Sequence, residues 1–192
     1  PARVALIEKI AAEAKVRGDG RERNALRQRF VQSYFRGVGE EDLAERPAGL
    51  LAAMAVAQFE LGSLRRAPGQ SRVRVFNPDP ERDGFESPHT LVMIVTDDRP
   101  FLVDSIGIVF TRAALAVHLI VHPVLEIRRD GRGRLTDLGA NGAQEMHAES
   151  WQLYEIDRQT DPARLQQLQQ QIEATLADVQ IVVEDWKPMR EH

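Results

Sequence analysis

Two carboxylates, a guanidinium and a proline follow directly upon an apolar run, at Asp97-Asp98-Arg99-Pro100. Pro100 fits the first turn of a helix, and Asp97 or Asp98 can accept hydrogen bonds from the free N–H groups there. The same N–H groups, with their partial positive charge, can instead bind a carboxylate or phosphate. The turn from Asp97 to Phe101 is therefore a candidate anion site, and a helix simply capped by Asp98 is the favoured competing interpretation.

Acid–base chemistry is the second use that this acidic stretch allows. Asp97, Asp98 and Asp104 cluster around one helix start, but a catalytic pair needs a buried cleft that perturbs its pKa values. The sequence indicates no such cleft, so capping and solvation are predicted. The chain also carries no nucleophile motif, phosphate-binding loop or dinucleotide fingerprint, and we assign it no catalytic residue.

A histidine pair, His118 and His122, has the four-residue spacing that suits a metal ion on a helix. The surrounding pattern is that of a strand, in which four residues span ~13 Å, so the two rings cannot share an ion and no metal site is predicted. With Glu126 they form a polar strand face that meets solvent or another subunit. Pro123 indicates that this strand lies at a sheet edge or contains a bulge.

A basic hairpin follows that strand. Four arginines, at 128, 129, 132 and 134, surround the turn Asp130-Gly131-Arg132-Gly133, whose glycines allow positive φ. Such a hairpin could contact a phosphate or an acidic partner, although a solvated hairpin is the more usual arrangement.

Hydrophobic periodicity predicts the helices and strands that position these residues. Thr90 to Thr96 is a buried strand, a helix begins near Leu102, and Val117 to Arg128 is a second strand. This β–turn–α–β unit predicts an α+β sandwich. Around it we expect helices at residues 2–17, 22–36 and 50–64, short strands at 72–76 and 135–138, a strand from 151 to 156, and a long helix from Asp161-Pro162 to Lys187-Pro188. The predicted division is a helical segment, residues 1–66, and an α+β domain, residues 72–187.

Composition narrows the function. The 192 residues carry a net charge of −4, which disfavours nucleic acid or an anionic membrane as a partner. There is no Cys, hence no disulfide and no thiolate metal site. No apolar run approaches the ~20 residues of a membrane span, and no signal peptide is evident, so a cytoplasmic location is expected.

Several motifs carry a family resemblance. The segments D-D-R-P-F-L-V-D-S-I, V-H-L-I-V-H-P-V-L and E-S-W-Q-L-Y-E-I-D-R resemble an ACT-type regulatory domain, and more narrowly the N-terminal region of the large bacterial NAD-dependent glutamate dehydrogenases. ACT-type domains that bind amino acids do so at an Asp-x-Pro-Gly turn. This sequence has Phe101 in place of that glycine, and a bulky side chain there disfavours effector binding.

The resemblance implies an ACT/ferredoxin-like antiparallel sheet with helices on one face, preceded by the helical segment. It implies a parent enzyme of amino-acid catabolism that oxidises L-glutamate to 2-oxoglutarate and ammonia while reducing NAD, with NAD bound outside this chain. The expected partners are other domains of the same polypeptide, further copies in a homo-oligomer, and an amino-acid effector at Asp97, Asp98, Arg99, Pro100 and Phe101. The alternative is a free-standing ACT-like module for amino-acid sensing or oligomerisation.

Overall fold

In a computed structural model that describes residues 2–139 and 146–190, a six-stranded antiparallel sheet lies between two layers of helices. The helices are α1 (Ala2–Glu13), α2 (Arg21–Tyr34), α3 (Glu40–Ala44), α4 (Ala48–Ser63), α5 (Pro80–Asp83), α6 (Leu102–Arg112) and α7 (Pro162–Arg190). The strands are β1 (Arg72–Phe76), β2 (Thr90–Asp97), β3 (Val117–Val121), β4 (Val124–Arg129), β5 (Leu135–Leu138) and β6 (His147–Ile156).

The sheet is centred on β2 and β6. Its order is β1-β2-β6-β4-β5, and β3 pairs with the same edge of β6 as β4 does. The two central strands are in register from Thr90 opposite Ile156 to Asp97 opposite Glu149. Seven of the eight residues of β2 are buried, as expected for a β-branched apolar run covered on both faces. The α+β fold with an ACT-like antiparallel sheet is thereby confirmed.

The second strand of the predicted unit is in fact two strands. β3 ends at Val121 and β4 begins at Val124. The prediction of a single strand from Val117 to Arg128 was therefore wrong. Pro123 has no N–H to give to a ladder, and its carbonyl instead accepts a hydrogen bond from the Trp151 backbone at 3.1 Å. Beyond this break β4 lies between β6 and β5, whereas β3 pairs only with β6 in the part of the chain that the structure describes. β3 is thus the edge strand that Pro123 indicated.

The N-terminal helices cover one face of the sheet. Phe30 of α2 packs with its ring centre 5.4 Å from that of Phe59 and 5.0 Å from that of Trp151. α4 approaches the sheet closely at Gly62, where an added Cβ would lie only 2.0 Å from the Trp151 ring. Residues of α1, α2 and α4 therefore share one hydrophobic core with the sheet. The boundaries 1–66 and 72–187 stay a prediction.

Helices α6 and α7 cover part of the opposite face. Leu102, Ile106 and Phe110 of α6 are buried in a second core with residues of β1, β2, β6 and α7. The Asp161 carboxylate accepts from the Ala163 backbone at 2.9 Å, at the start of α7 as predicted. The predicted end at Lys187-Pro188 was wrong, because α7 runs to Arg190. A proline so close to the last residue removes few hydrogen bonds. Among the described residues, no helix is long and apolar enough to cross a membrane.

Candidate functional site

The turn between β2 and α6 is not a capped helix start. Within the described residues, no side chain accepts a hydrogen bond at the N-terminus of α6, so the prediction that Asp98 caps it was wrong. Asp98 is exposed, and its backbone N–H donates to the Ala148 carbonyl at 3.0 Å. Phe101 has φ of 70°, the left-handed conformation that glycine adopts most readily. Phe101 thus has a backbone conformation that favours glycine, at the position where the Asp-x-Pro-Gly turn of ACT-type domains has its glycine.

The five predicted effector residues are divided between the two faces of the sheet. Asp97 accepts from Arg66 Nη2 at 2.7 Å and from the Gly69 backbone at 2.8 Å, beside the N-terminal helices. Asp98, Arg99 and Phe101 border a cavity of about 190 Å³ on the α6 side. Pro100 is exposed. The turn therefore brings Asp98, Arg99 and Phe101 to one cavity, while the carboxylate of Asp97 lies apart from it, 3.7 Å from the Arg99 guanidinium. Effector binding by these residues stays a prediction.

The predicted interface residues also have separate surroundings. The strand register shifts at His118, whose Nε2 lies 2.8 Å from Asp157 Oδ1 and whose ring stacks on His89 at 4.2 Å. His122 borders the small cavity beside Phe101, and Glu126 is exposed. Across the described ranges, no group of three or more His, Cys, Asp or Glu side chains could hold a metal ion.

A buried charge network that sequence reasoning missed lies near the same end of the sheet. Glu149 of β6 is fully buried. Arg129 donates to it from Nε and Nη2, both at 2.8 Å, and Arg66 donates from Nη2 at 2.8 Å. His147 Nε2 lies 2.6 Å from the same carboxylate, and Trp151 Nε1 donates to it at 3.2 Å. Burial raises the pKa of Glu149, but the hydrogen bonds from Arg129 and Arg66 outweigh it and lower the pKa to about 2.

An open cleft of about 690 Å³ adjoins this network, between the segment after α4 and the β4–β5 hairpin. Its charged lining, which defines the arginine cleft, consists of Arg65, Arg66, Asp97, Arg129, Asp130, Arg132 and His147. Gly133 seats the hairpin against Arg66: its carbonyl accepts from the Arg66 backbone at 3.0 Å, and a Cβ there would lie 2.4 Å from the Arg66 carbonyl oxygen. With φ of 82°, the position suits glycine alone.

A weak sequence signal for the network was present. Glu149 lies two and four residues before Trp151 and Leu153, so all three side chains share one face of β6. Trp151 and Leu153 point into the core under the N-terminal helices. A carboxylate at an inward strand position must be paired. Arg66, however, is 83 residues away along the chain, so no local pattern could identify it.

A second buried ion pair fastens the N-terminal segment to the sheet. Arg46, in the connection before α4, donates to Glu155 of β6 from Nε at 3.1 Å and from Nη2 at 2.9 Å. Glu155 is 1% exposed, and Arg46 Nη2 also donates to the His118 carbonyl at 3.1 Å. This contact orients α4 on the sheet, at the end opposite to the arginine cleft.

Comparison with known proteins agrees with the motifs. The model of the family described as "Glutamate dehydrogenase, ACT1 domain" matches residues 30–172. The chain is 33% identical over 194 positions to the NAD-specific glutamate dehydrogenase of Halomonas elongata, covering 98% of the chain and 12% of that protein. It is 32% identical over 163 positions to that of Pseudomonas aeruginosa, with coverages of 84% and 10%. For that of Mycobacterium tuberculosis the identity is 30% over 142 positions, with coverages of 72% and 8%.

The chain thus spans about a tenth of the length of the curated relatives that it matches. The family model covers the whole β–turn–α–β unit, all six strands of the sheet and the start of α7. The chain belongs to the glutamate dehydrogenase ACT1 domain family.

Proposed function

We propose that this chain is an N-terminal regulatory and assembly domain of an NAD-dependent glutamate dehydrogenase. The parent enzyme would convert L-glutamate, water and NAD+ to 2-oxoglutarate, ammonia and NADH in the cytoplasm. In this proposal the chain supplies no catalytic residue, and NAD binds to another part of the polypeptide. The family match and the names of the relatives support this setting over a free-standing module.

Assembly is the task that the geometry supports best, and the uncovered half of the α6 face carries this proposal. Leu119, Val121 and Leu125 are buried under the N-terminal helices. Because strand side chains alternate, Ile120 and Val124 point to the opposite face. There they are 42% and 54% exposed, since α6 packs over the central strands instead.

The free edge of β3 adjoins this apolar surface. Among the described residues, β3 pairs with β6 alone, so its outer edge is open to another strand. Phe101, 58% exposed, borders the same small cavity as Val124. An open edge beside exposed apolar side chains is the arrangement by which two ACT-like sheets can join side by side. The proposed occupant is the same surface of a second copy of this chain.

Effector sensing at the Asp97–Phe101 turn has less support. The cavity of about 190 Å³ beside Asp98 and Phe101 is smaller than the ~300 Å³ at which small-molecule pockets usually begin. Sensing of an amino acid by this turn stays a prediction, and the proposal does not depend on it.

The test is the association state of the 192-residue chain in sedimentation equilibrium over a range of concentrations. We expect a reversible dimer for the unchanged chain, and a monomer for Ile120→Lys, because a charge on this surface cannot be buried without a counter-charge. Ile181→Lys is the matched control, since Ile181 is a 56% exposed isoleucine on α7. A monomeric unchanged chain, or equal loss of association in the Ile181 control, would contradict assembly through β3.

A further inference from the structure

The carboxylates that line the arginine cleft are already engaged. Asp97 accepts from Arg66 and from the Gly69 backbone. Asp130 accepts from the backbone N–H groups of Arg132 and Arg134 at 2.8 and 3.0 Å. These two backbone hydrogen bonds, with that from Arg134 the larger contribution, lower the pKa of Asp130 and keep it ionised and held by its own turn. The acidic groups of the lining are therefore directed at the protein itself.

Cationic groups remain on both sides of the opening. Arg65 lies on the side of the α4–β1 connection, and Arg132 lies at the tip of the hairpin. Both are exposed, and neither side chain makes a hydrogen bond within the part of the chain that the structure describes. His147 lines the cleft between them with its side chain 43% exposed, and among the described residues the polar contacts of its ring, to Glu149 and Arg66, are made by Nε2.

The walls that carry these groups are held rigidly. Arg129 donates from Nη1 to the Gly133 carbonyl at 3.0 Å and from Nη2 to the Gly62 carbonyl at 2.8 Å. Buried Arg66 donates from Nη1 to the Gln70 carbonyl at 2.8 Å. Glu149 fixes both guanidinium groups from beneath. A cleft with fixed walls loses little conformational entropy when a ligand binds.

We propose that the arginine cleft binds a small anion with two negatively charged groups, one held by Arg65 and the other by Arg132. A guanidinium fork matches the oxygens of carboxylate and phosphate alike, so the shared chemistry is a dianion of either kind. The cleft volume, about 690 Å³, lies within the usual range of small-molecule sites. The cleft is lined by four arginines and a histidine, against two carboxylates in the lining and that of Glu149 beneath it. The arginines outnumber the carboxylates, so the electrostatic potential at the opening is positive.

The cleft lies on the face under the N-terminal helices, and the apolar surface of Ile120 and Val124 lies on the other. Binding is therefore independent of assembly through β3. A regulatory use of the bound anion does rest on the proposed function. Failure of anion binding and failure of assembly can be distinguished, because calorimetry measures the first and sedimentation measures the second.

The test is isothermal titration of the 192-residue chain with succinate and, separately, with inorganic pyrophosphate, at constant ionic strength. Saturable binding of one anion per chain is expected for at least one of them. Binding of one alone identifies the charged group and supports the site. Arg65→Gln and Arg132→Gln should each weaken binding by about tenfold or more, the loss expected for one charge-assisted hydrogen bond. Because both side chains are exposed and make no hydrogen bond to the described residues, the variants should fold like the unchanged chain.

Arg134→Gln is the matched control, because it removes the same charge from the same hairpin outside the cleft lining. It should leave the affinity unchanged. The proposal is overturned if neither anion binds, or if Arg134→Gln weakens binding as strongly as Arg132→Gln, which would indicate a diffuse surface charge effect.

Discussion

The two faces of the sheet are built differently. Under the N-terminal helices the face is closed, with the ring of Phe30 packed at a tilt against Trp151 and a fully buried Glu149 held by two arginines. On the other face α6 and α7 leave Ile120 and Val124 exposed beside a free strand edge. The closed face stabilises the chain and shapes the arginine cleft, whereas the open face is available for contact. In the proposed function, one sheet thus separates stability from association by assigning them to opposite sides.

The largest effect should come from the closed face, at Glu149. In Glu149→Gln the buried guanidinium group of Arg129 loses its carboxylate partner, and that of Arg66 loses one of two and keeps Asp97. We expect a loss of about 3–5 kcal/mol in the free energy of unfolding at pH 7, measured by urea unfolding followed by circular dichroism. Glu126→Gln, an exposed residue of β4, should change it by less than about 0.5 kcal/mol.

Acid should remove the same stabilisation. The pKa of Glu149 falls from 4.5 to about 2 on folding, so the unfolded chain binds this proton more tightly than the folded chain does. The contribution is therefore complete above ~pH 5 and is lost as the pH falls toward 2. The difference in stability between the unchanged chain and Glu149→Gln should shrink by about half or more between pH 7 and pH 3. A difference that stays constant would show that the ionised carboxylate is not responsible.

Glycine-to-alanine substitutions on the two faces should change the free energy of unfolding in opposite directions. In Gly62→Ala the new methyl group would meet Trp151 at 2.0 Å, and such overpacking costs about 1–3 kcal/mol. In Gly107→Ala, on α6, the new methyl group meets no atom within 4 Å, and the gain in helix propensity should stabilise the chain by about 0.5–1 kcal/mol. Thermal unfolding of both variants measures this, and a Gly62→Ala chain as stable as the unchanged one would contradict close packing on this face.

A similarly small effect is expected at the turn that leads to the open face. Phe101→Gly should raise the free energy of unfolding by about 1 kcal/mol, because Phe101 is 58% exposed and has positive φ. Phe101→Ala retains the strained backbone and should bring no such gain. If Phe101→Gly lowers stability instead, the ring contributes more packing than its backbone costs.

Local patterns predicted the elements but not the contacts between distant segments. The strand predicted at residues 151–156 lies within β6, and the structure shows that its two faces enter different cores. The DDRP motif led to the family. The pairing of Arg66 with Glu149 was out of reach, because it depends on how α4 crosses the sheet. Capping by Asp98 failed for a related reason, since its backbone N–H bonds to Ala148 of a neighbouring strand.

The ion pair between Arg46 and Glu155 has a consequence for how this region can be truncated. A truncation that begins at β1 would strip the helices from Trp151, expose a whole apolar sheet face to water, and leave Glu155 and Glu149 without Arg46 and Arg66. The helical segment and the sheet are therefore inseparable in practice. The shortest autonomous unit of this region includes its first helices, and domain-swapped chimaeras between relatives should exchange both parts together.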